Sequence, residues 1–218
     1  SCFDMRPRLS NYYLEKDLRN SLYGAIIQQW ETLYDHPKLE LSQKILQKVM
    51  ENWTEGIQYD NYRIEILKSP VPFSWSLPGG SIYISSELID MCEYDSEVEV
   101  IIAREVAHVE RRHLLRSYQK SQSDAAGIAI ALTLVSLATQ TDMSSLMESL
   151  SQFSYNLLGS GFDRKLEEEA DALAMTYFLR NNYDKNSLLR VLEKLKFRTK
   201  TRVGSTNRLS AFTNAPDL

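Results

Sequence analysis

The run from Ala103 to His108 contains residues whose types and spacing suit metal chemistry. In the zinc-binding motif His-Glu-x-x-His, the two histidines lie four residues apart, so at about 100° per residue they share one helical face. The glutamate beside the first histidine acts as a general base toward a metal-bound water. Glu105 and His108 occupy their places in this chain, but Arg104 stands at the first histidine position. Because a guanidinium stays protonated, it has no lone pair to give a metal.

A zinc site needs a third protein ligand beside two histidines, and a later acidic run from Glu167 to Asp171 is the candidate source. His113 lies five residues past His108, about 140° away around one helix. That angle favours a structural hydrogen bond over metal ligation. His36 has no spacing that ties it to the motif.

The length of 218 residues fits one domain, or one domain with an added arm. We expect a single domain over residues 1–218, with an N-terminal helical arm at 1–55 and a core at 56–218 that ends in helices. Hydrophobic content of 43% and charged content of 25% are ordinary for a soluble globular protein. The net charge of −4, without a basic run, argues against a nucleic-acid partner.

Two features raise the question of membrane contact. Cys2 is either the acylated cysteine of a processed bacterial lipoprotein or leftover sequence from the preparation of the chain. The longest apolar run, Ala125–Ala138, has about 14 residues and falls short of the roughly 20 that a spanning helix needs. We expect a buried helix there, and the alternative is a hydrophobic flap that touches a membrane or a client protein.

The elements before the motif are predicted from hydrophobic periodicity. Apolar residues at spacings of three and four predict helices over Ser21–Tyr34 and Lys38–Trp53. Alternation predicts strands at Tyr62–Lys68 and Ser81–Ser85. We therefore expect a small sheet of a few strands, flanked by helices.

The motif itself is predicted to lie on a deeply buried helix, because its apolar residues cover a wide face. Ser96 and Glu99 have the spacing of a capping box at its start. A second helix is predicted to begin at the N-cap Asp163 and to stop at Asn181. A last helix is predicted over Lys185–Phe197.

Four segments, in order and spacing, resemble peptidases of the M48 (Ste24/HtpX-like) family, in particular its soluble, BepA-like bacterial members. The family pattern contains Pro-Gly-Gly before a strand, His-Glu-x-x-His, Ser-Arg-x-x-Glu-x-Glu-Ala-Asp, and Thr-His-Pro. The matching segments are Leu77–Gly80, Arg104–His108, Asp163–Asp171 and Thr201–Gly204. The likeness extends from about residue 30 to residue 212.

The resemblance implies an α+β fold, a mostly helical zincin-like metallopeptidase domain with a small β-sheet packed on the active-site helix. It implies that His108 and Glu167 are metal ligands and that Glu105 is the general base. Asp171 would be a carboxylate that orients a ligating histidine. An edge strand would take up an extended peptide substrate. The residues of that strand are Ser81, Ile82, Tyr83 and Ile84.

Three departures from the family pattern fall on this one site. Arg104 replaces the first ligand, Arg202 replaces a histidine that can approach the metal or stabilise an oxyanion, and Phe73 replaces an asparagine. We predict that the chain no longer holds zinc and that Arg104 bridges Glu167 and Asp171 in place of the metal. The alternative is that Arg104 extends to the surface.

The resulting prediction is an M48-like protein that is inactive or strongly impaired and carries no cofactor. It would bind an extended peptide or an unfolded outer-membrane protein in a retained groove, in the bacterial periplasm or cell envelope. Peripheral membrane contact would come through Ala125–Ala138 or a lipidated Cys2. One alternative is an active zinc endopeptidase with an altered ligand set, and another is a purely structural role.

Overall fold

The computed structural model describes residues 6–54, 56–123, 157–158, 161–181, 186 and 189–190. The predictions for Cys2, Ala125–Ala138 and Arg202 lie outside these residues, as does most of the helix predicted over Lys185–Phe197. Within them, the helices are α1 (Arg6–Gln29), α2 (Leu39–Asn52), α3 (Ser86–Met91), α4 (Asp95–Glu110), α5 (His113–Ser123) and α6 (Arg164–Arg180). The strands are β1 (Arg63–Leu67), β2 (Ser74–Leu77) and β3 (Ser81–Ser85).

The three strands form one sheet in the order β1-β3-β2. β1 runs parallel to β3 with Ile64 opposite Ile82, and β2 runs antiparallel to β3 with Trp75 opposite Tyr83. β3 is therefore the central strand, and it is buried along its whole length.

The prediction that Ser81–Ile84 offers an edge to a peptide is wrong, because neighbours already pair with both sides of β3. The second neighbour, β2, was not predicted from the sequence. This strand has only four residues and is flanked by Pro70, Pro72 and Pro78, and prolines are rare within sheets. In the part of the sheet that the structure describes, the edges are β1 and β2.

The motif helix α4 is buried on nearly all sides, as its apolar content predicts. Its start differs from the prediction. The carboxylate of Glu97 accepts hydrogen bonds from the backbone N–H groups of Glu93 at 2.7 Å and Tyr94 at 3.3 Å. The predicted capping box of Ser96 and Glu99 is wrong because the N-cap is Tyr94, two residues before Ser96, and the helix begins at Asp95.

The N-terminal helix also differs from its predicted range, Ser21–Tyr34, because α1 occupies Arg6–Gln29. Beyond its end, Leu33 donates its backbone N–H to the Ile66 carbonyl at 2.8 Å. Thr32 forms a bridge with Leu67. The chain leaves the helix here because β1 offers hydrogen bonds at its outer edge.

Two hydrophobic clusters form on opposite faces of the sheet. The alternation along β3 sends Ile82 and Ile84 into the first cluster and Tyr83 into the second. The first contains residues of α2, α4 and α6, and the second contains residues of α1, α5 and β2. Both helices of the predicted arm at 1–55 therefore contribute to the core, and the boundary at residue 55 stays a prediction.

The predicted fold class is confirmed: the chain has an α+β fold, mostly helical, with a small sheet packed on α4. The predicted helix bounds near Asp163 and Asn181 are also confirmed, since α6 has these residues as its N-cap and C-cap. Within the described ranges, no helix is long and apolar enough to cross a bilayer.

Candidate active site

Two helices bring the candidate residues together. The buried helix α4 contributes Arg104, Glu105 and His108, which are 6%, 4% and 4% exposed. Helix α6 packs against it and contributes Glu167 and Asp171. These two carboxylates are four residues apart, so they lie on the same face of α6. The family pattern thus leads to one buried cluster on facing helices.

Helix α6 is positioned at its start by Asp163. The side chain of Asp163 accepts hydrogen bonds from the backbone N–H groups of Lys165 and Leu166 at 3.1 Å and 3.2 Å. It also accepts from Lys120 Nζ at 2.7 Å, which joins the start of α6 to α5. This cap fixes where Glu167 stands, one turn further along.

The Arg104 side chain lies between the two carboxylates of α6. Its Nη2 is 2.8 Å from Glu167 Oε2, and its Nε is 2.5 Å from Asp171 Oδ1. Burial lowers the pKa of Arg104, but the charges of Asp171, Glu167 and Glu105 outweigh it, so the pKa is raised. The guanidinium is a permanent buried cation whose planar fork matches paired carboxylates. It does not extend to solvent.

The two glutamates of the site have raised pKa values. Burial raises the pKa of Glu105, against a 2.6 Å hydrogen bond from Ser74 Oγ and the charge of Arg104. Burial also raises the pKa of Glu167 to about 7; Arg104 opposes this shift, and the charges of Glu105 and Asp171 add to it. Three carboxylates compete for one guanidinium, so the contact with Arg104 does not cancel the effect of burial on the pKa of Glu167.

The retained histidine is held by a ring on each side. His108 Nδ1 is 2.8 Å from His113 Nδ1, so one ring donates and the other accepts. The ring of Phe162 is stacked on His108 with centroids 4.6 Å apart. His108 Nε2 faces Glu167 Oε2 at 3.8 Å. Burial lowers the pKa of His108 well below its ordinary value, so the imidazole is neutral.

The hydrogen bond predicted for His113 is present, but its route differs from the predicted one. Helix α4 ends at Glu110, and Arg112 adopts a left-handed backbone with φ of 53°. The chain then turns back into α5, which begins at His113. The turn brings the two rings together, whereas an angle counted along one continuous helix would keep them apart. His36 lies elsewhere, with its Nε2 3.4 Å from Asp90 Oδ1.

Little space remains inside the cluster. A cavity of about 20 Å³ is enclosed by Ser74 and Trp75 of β2, the α4 residues, Glu167, Gly161 and Phe162. That volume suits about one water molecule. Sequence reasoning missed Ser74 and Phe162. A signal for Phe162 was its place just before the Asp163 N-cap, where an apolar residue often packs back onto its helix.

The remaining predicted residues do not join the cluster. Phe73 packs against Trp30 with ring centroids 4.7 Å apart. Ser81, Ile82, Tyr83 and Ile84 belong to the central strand, one strand further from the site than β2. Arg202 falls outside the described residues, so its relation to the site stays a prediction.

The described residues of this site do not fit a zinc ion. His108 and Glu167 are two suitable donors, but a zinc site needs at least three, and the next position carries a guanidinium bound to Glu167. No group of three or more His, Cys, Asp or Glu that could hold a metal ion occurs in the described part of the chain. The donor chemistry, rather than an empty site, leads to this conclusion.

The profile of Peptidase family M48 matches residues 39–214, which is most of the chain. The chain belongs to this family. M48 peptidases depend on zinc. The mitochondrial metalloendopeptidase OMA1 of Schizosaccharomyces pombe is 23% identical over 164 residues, which cover 73% of this chain and 44% of that protein.

The OMA1 of Saccharomyces cerevisiae is 27% identical over 199 residues, covering 84% of this chain and 54% of that protein. The beta-barrel assembly-enhancing protease of Yersinia pestis is 26% identical over 121 residues, covering 54% of this chain and 24% of that protein. The M48 chain described here thus spans between about a quarter and about half of the length of these relatives.

Proposed function

We propose that this M48 member has exchanged its metal centre for a buried ion pair and no longer hydrolyses peptide bonds. One observation carries the proposal: Arg104 contacts Glu167 and Asp171 at 2.8 Å and 2.5 Å, with all three side chains largely buried. A guanidinium at a ligand position both removes a lone pair and places a positive charge where a cation would bind.

The surrounding groups support the loss of hydrolysis. Glu105 accepts a hydrogen bond from Ser74 and lines a cavity of about 20 Å³, a volume that suits about one water molecule rather than a peptide group. The neutral His108 is covered by Phe162 and paired with His113. A general base contributes about 10²–10⁴-fold to a rate, and only when a nucleophile and a substrate carbonyl are within its reach.

The role that remains is binding of an extended or unfolded polypeptide. Strand β2 is the edge of the described sheet that lies beside the site, and edge strands accept extended peptides through backbone hydrogen bonds. Phe162 contacts Trp75 of β2 at 6.3 Å between centroids, so it would withdraw as a peptide binds.

The proposed client is an envelope protein, and the proposed location is the bacterial periplasm or cell envelope. The bacterial relatives named for beta-barrel assembly support both proposals. The mitochondrial relatives support a client in an organelle instead. Fractionation of the cells that naturally make the protein, with detection of the protein in each fraction, separates the two locations.

The test of the central proposal is metal content paired with proteolysis. Purified wild-type protein is expected to carry far less than about one zinc per chain and to leave unfolded casein intact. The variant Arg104→His supplies a third donor and is expected to take up about one zinc per chain. Wild-type protein with about one tightly bound zinc and chelator-sensitive cleavage would falsify the proposal.

Arg104→Gln is the matched control, because it removes the charge without adding a good zinc ligand. It is expected to stay metal-free. For the binding role, Phe162→Ala is expected to bind a fluorescent unfolded peptide more tightly than wild-type protein, since no ring must withdraw. Weaker or unchanged binding, with an unchanged far-UV spectrum, would contradict the role of β2.

An active zinc endopeptidase is the second candidate function. The observation that favours it is that His108 Nε2 still faces Glu167 Oε2 at 3.8 Å, as two ligands of one ion would. The metal measurement on the wild-type protein decides between the two candidates.

A further inference from the structure

The outward side of helix α1 exposes several large apolar side chains. Helix α1 has 24 residues and is about 36 Å long. One side, with Leu18, Leu22 and Ile26, is buried in the second hydrophobic cluster. The other side carries large apolar side chains in water: Tyr12 is 63% exposed and Ile27 is 50% exposed.

These exposed residues lie in one row. At about 100° per residue, Tyr23, Lys16, Ile27 and Asn20 fall about 20°, 40°, 60° and 80° around the helix from Tyr12. Tyr23 is 42% exposed, and Lys16 and Asn20 are also exposed. We call these five residues the α1 outer face.

The α1 outer face contains a positive charge and no carboxylate. The nearest acid on one side, Glu15, is buried and accepts a hydrogen bond from the Tyr59 hydroxyl at 3.0 Å. The nearest acid on the other side, Asp17, lies about 140° from Tyr12 around the helix.

This combination suits the headgroup layer of an anionic bilayer. Tyrosines present an apolar ring and a polar hydroxyl, and they are enriched at membrane interfaces. Lys16 can lie with its stem along apolar surface and its ammonium among phosphates. Because the other side of α1 packs on the protein core, the α1 outer face would meet the headgroup layer with the helix axis in the plane of the interface.

The charge pattern disfavours a second copy of the chain as the occupant. A two-fold contact through the α1 outer face would bury Lys16 of both copies, without a carboxylate on either face to pair with them. Anionic lipid phosphates supply the complementary charge.

We propose that the α1 outer face docks this protein on a membrane surface that contains anionic phospholipid. The proposal rests on α1 alone and does not depend on the loss of hydrolysis at the zinc-peptidase motif.

The test is co-sedimentation of the full chain with vesicles. One set contains phosphatidylcholine alone, and the other contains about a third phosphatidylglycerol. Wild-type protein is expected to bind the anionic vesicles and to release at high salt. Lys16→Glu is expected to weaken binding about five-fold or more, because each basic residue near such a surface contributes roughly a five-fold factor. The triple variant Tyr12→Ser/Tyr23→Ser/Ile27→Ser is expected to weaken it at least about ten-fold.

The matched control is Tyr34→Ser/Leu179→Ser, which removes two side chains that are 81% and 59% exposed and lie off α1. It is expected to bind as wild-type protein does. Urea midpoints verify that all variants are folded. Three results overturn the proposal: wild-type protein that does not sediment with anionic vesicles, a triple variant that binds as well as wild type, or a dimer in light scattering that the triple variant abolishes.

Discussion

At the scale of single residues, the central comparison is between a guanidinium and a metal ion. Both are cations, but the guanidinium has one charge and directs its N–H groups in a plane, whereas zinc draws ligands into a tetrahedron. Arg104 satisfies Glu167 and Asp171 and leaves Glu105 to Ser74. With three carboxylates near one positive charge, the site contains more acidic groups than the guanidinium can neutralise.

A variant without Arg104 measures how much the ion pairs of Arg104 contribute to the free energy of unfolding. Arg104→Ala is expected to lower the free energy of unfolding by about 3–5 kcal/mol, because it leaves two buried carboxylates without a counter-charge. The measurement is urea unfolding followed by circular dichroism. Arg164→Ala is the control: its partner Glu168 lies four residues away on an exposed face, and losing such a pair costs about 0–1 kcal/mol. Equal losses in both variants would contradict the assignment.

This excess of carboxylates predicts that the stability of the protein falls as the pH rises. The pKa of Glu167 is raised to about 7 in the folded protein, from an ordinary value of 4.5. The folded state therefore binds this proton more tightly than the unfolded state. The stabilisation is complete below about pH 4.5 and is lost as the pH rises through about 7, by up to about 3 kcal/mol.

Glu167→Gln cannot lose a proton, so its free energy of unfolding is expected to decline less than that of wild type over this interval. Unfolding in urea at several pH values measures the difference between the two slopes. Glu168→Gln, one residue away and half-buried, is expected to keep the wild-type slope. Parallel curves for wild type and Glu167→Gln would remove Glu167 as the cause.

At the scale of elements, the turn between β2 and β3 depends on two glycines with unequal surroundings. Gly79 and Gly80 have φ of +92° and +88°. A Cβ on Gly80 would lie 2.9 Å from the ring and 3.0 Å from the Cα of Tyr62, whereas one on Gly79 would meet only the flexible end of Arg19, at 3.2 Å.

Alanine is therefore expected to be tolerated unequally at these two positions. Gly79→Ala should cost about 1–2 kcal/mol from the left-handed backbone alone. Gly80→Ala should cost about 1–3 kcal/mol more, because Tyr62 must shift as well. Thermal unfolding of the two variants measures the difference. A Gly79→Ala variant that is the less stable of the two would show that the contact with Tyr62 yields easily.

Elements with strong local signals could be predicted from the sequence. Asp163 and Asn181 bound α6 because capping chemistry acts within a few residues. β2 was missed because prolines flank it and its pairing partner lies in β3. The predicted range of α1 was wrong because hydrogen bonds to β1, rather than a helix-breaking residue, decide where the chain leaves the helix.

The candidate site likewise has a part that could be predicted from the sequence and a part that could not. The motif alone brought Arg104, Glu105 and His108 to one helix, and the resemblance to the M48 pattern assigned Glu167 and Asp171 to the same site. The covering ring of Phe162 and the pairing of His113 with His108 depend on a turn and on tertiary packing. Such contacts leave no periodic pattern in the sequence.

At the scale of the whole molecule, the site lies where the two hydrophobic clusters meet. On α6, Leu166 belongs to the second cluster and Ala170 to the first, with Glu167 between them. The ion pair of Arg104 thus joins α4 to α6 at the seam between two packed regions. Loss of this ion pair is expected to destabilise both hydrophobic clusters.

A ligand that binds only the folded state raises the melting temperature in proportion to the logarithm of its concentration. The melting temperature of the wild-type protein is therefore expected to be the same in a chelator and in micromolar zinc. Arg104→His is expected to melt higher in zinc than in the chelator. Differential scanning fluorimetry measures both, and a wild-type protein that a chelator destabilises would contradict the proposed exchange.

The buried position of Arg104 has one more consequence. A positive charge carried by the polypeptide itself reaches its site as soon as α4 and α6 pack together. This step is intramolecular, so its rate does not depend on the concentration of any ion in the surroundings. A metalloenzyme must instead capture a scarce ion in competition with every other acceptor in its compartment. This chain is therefore expected to mature equally well in cells grown with abundant zinc and in cells starved of it.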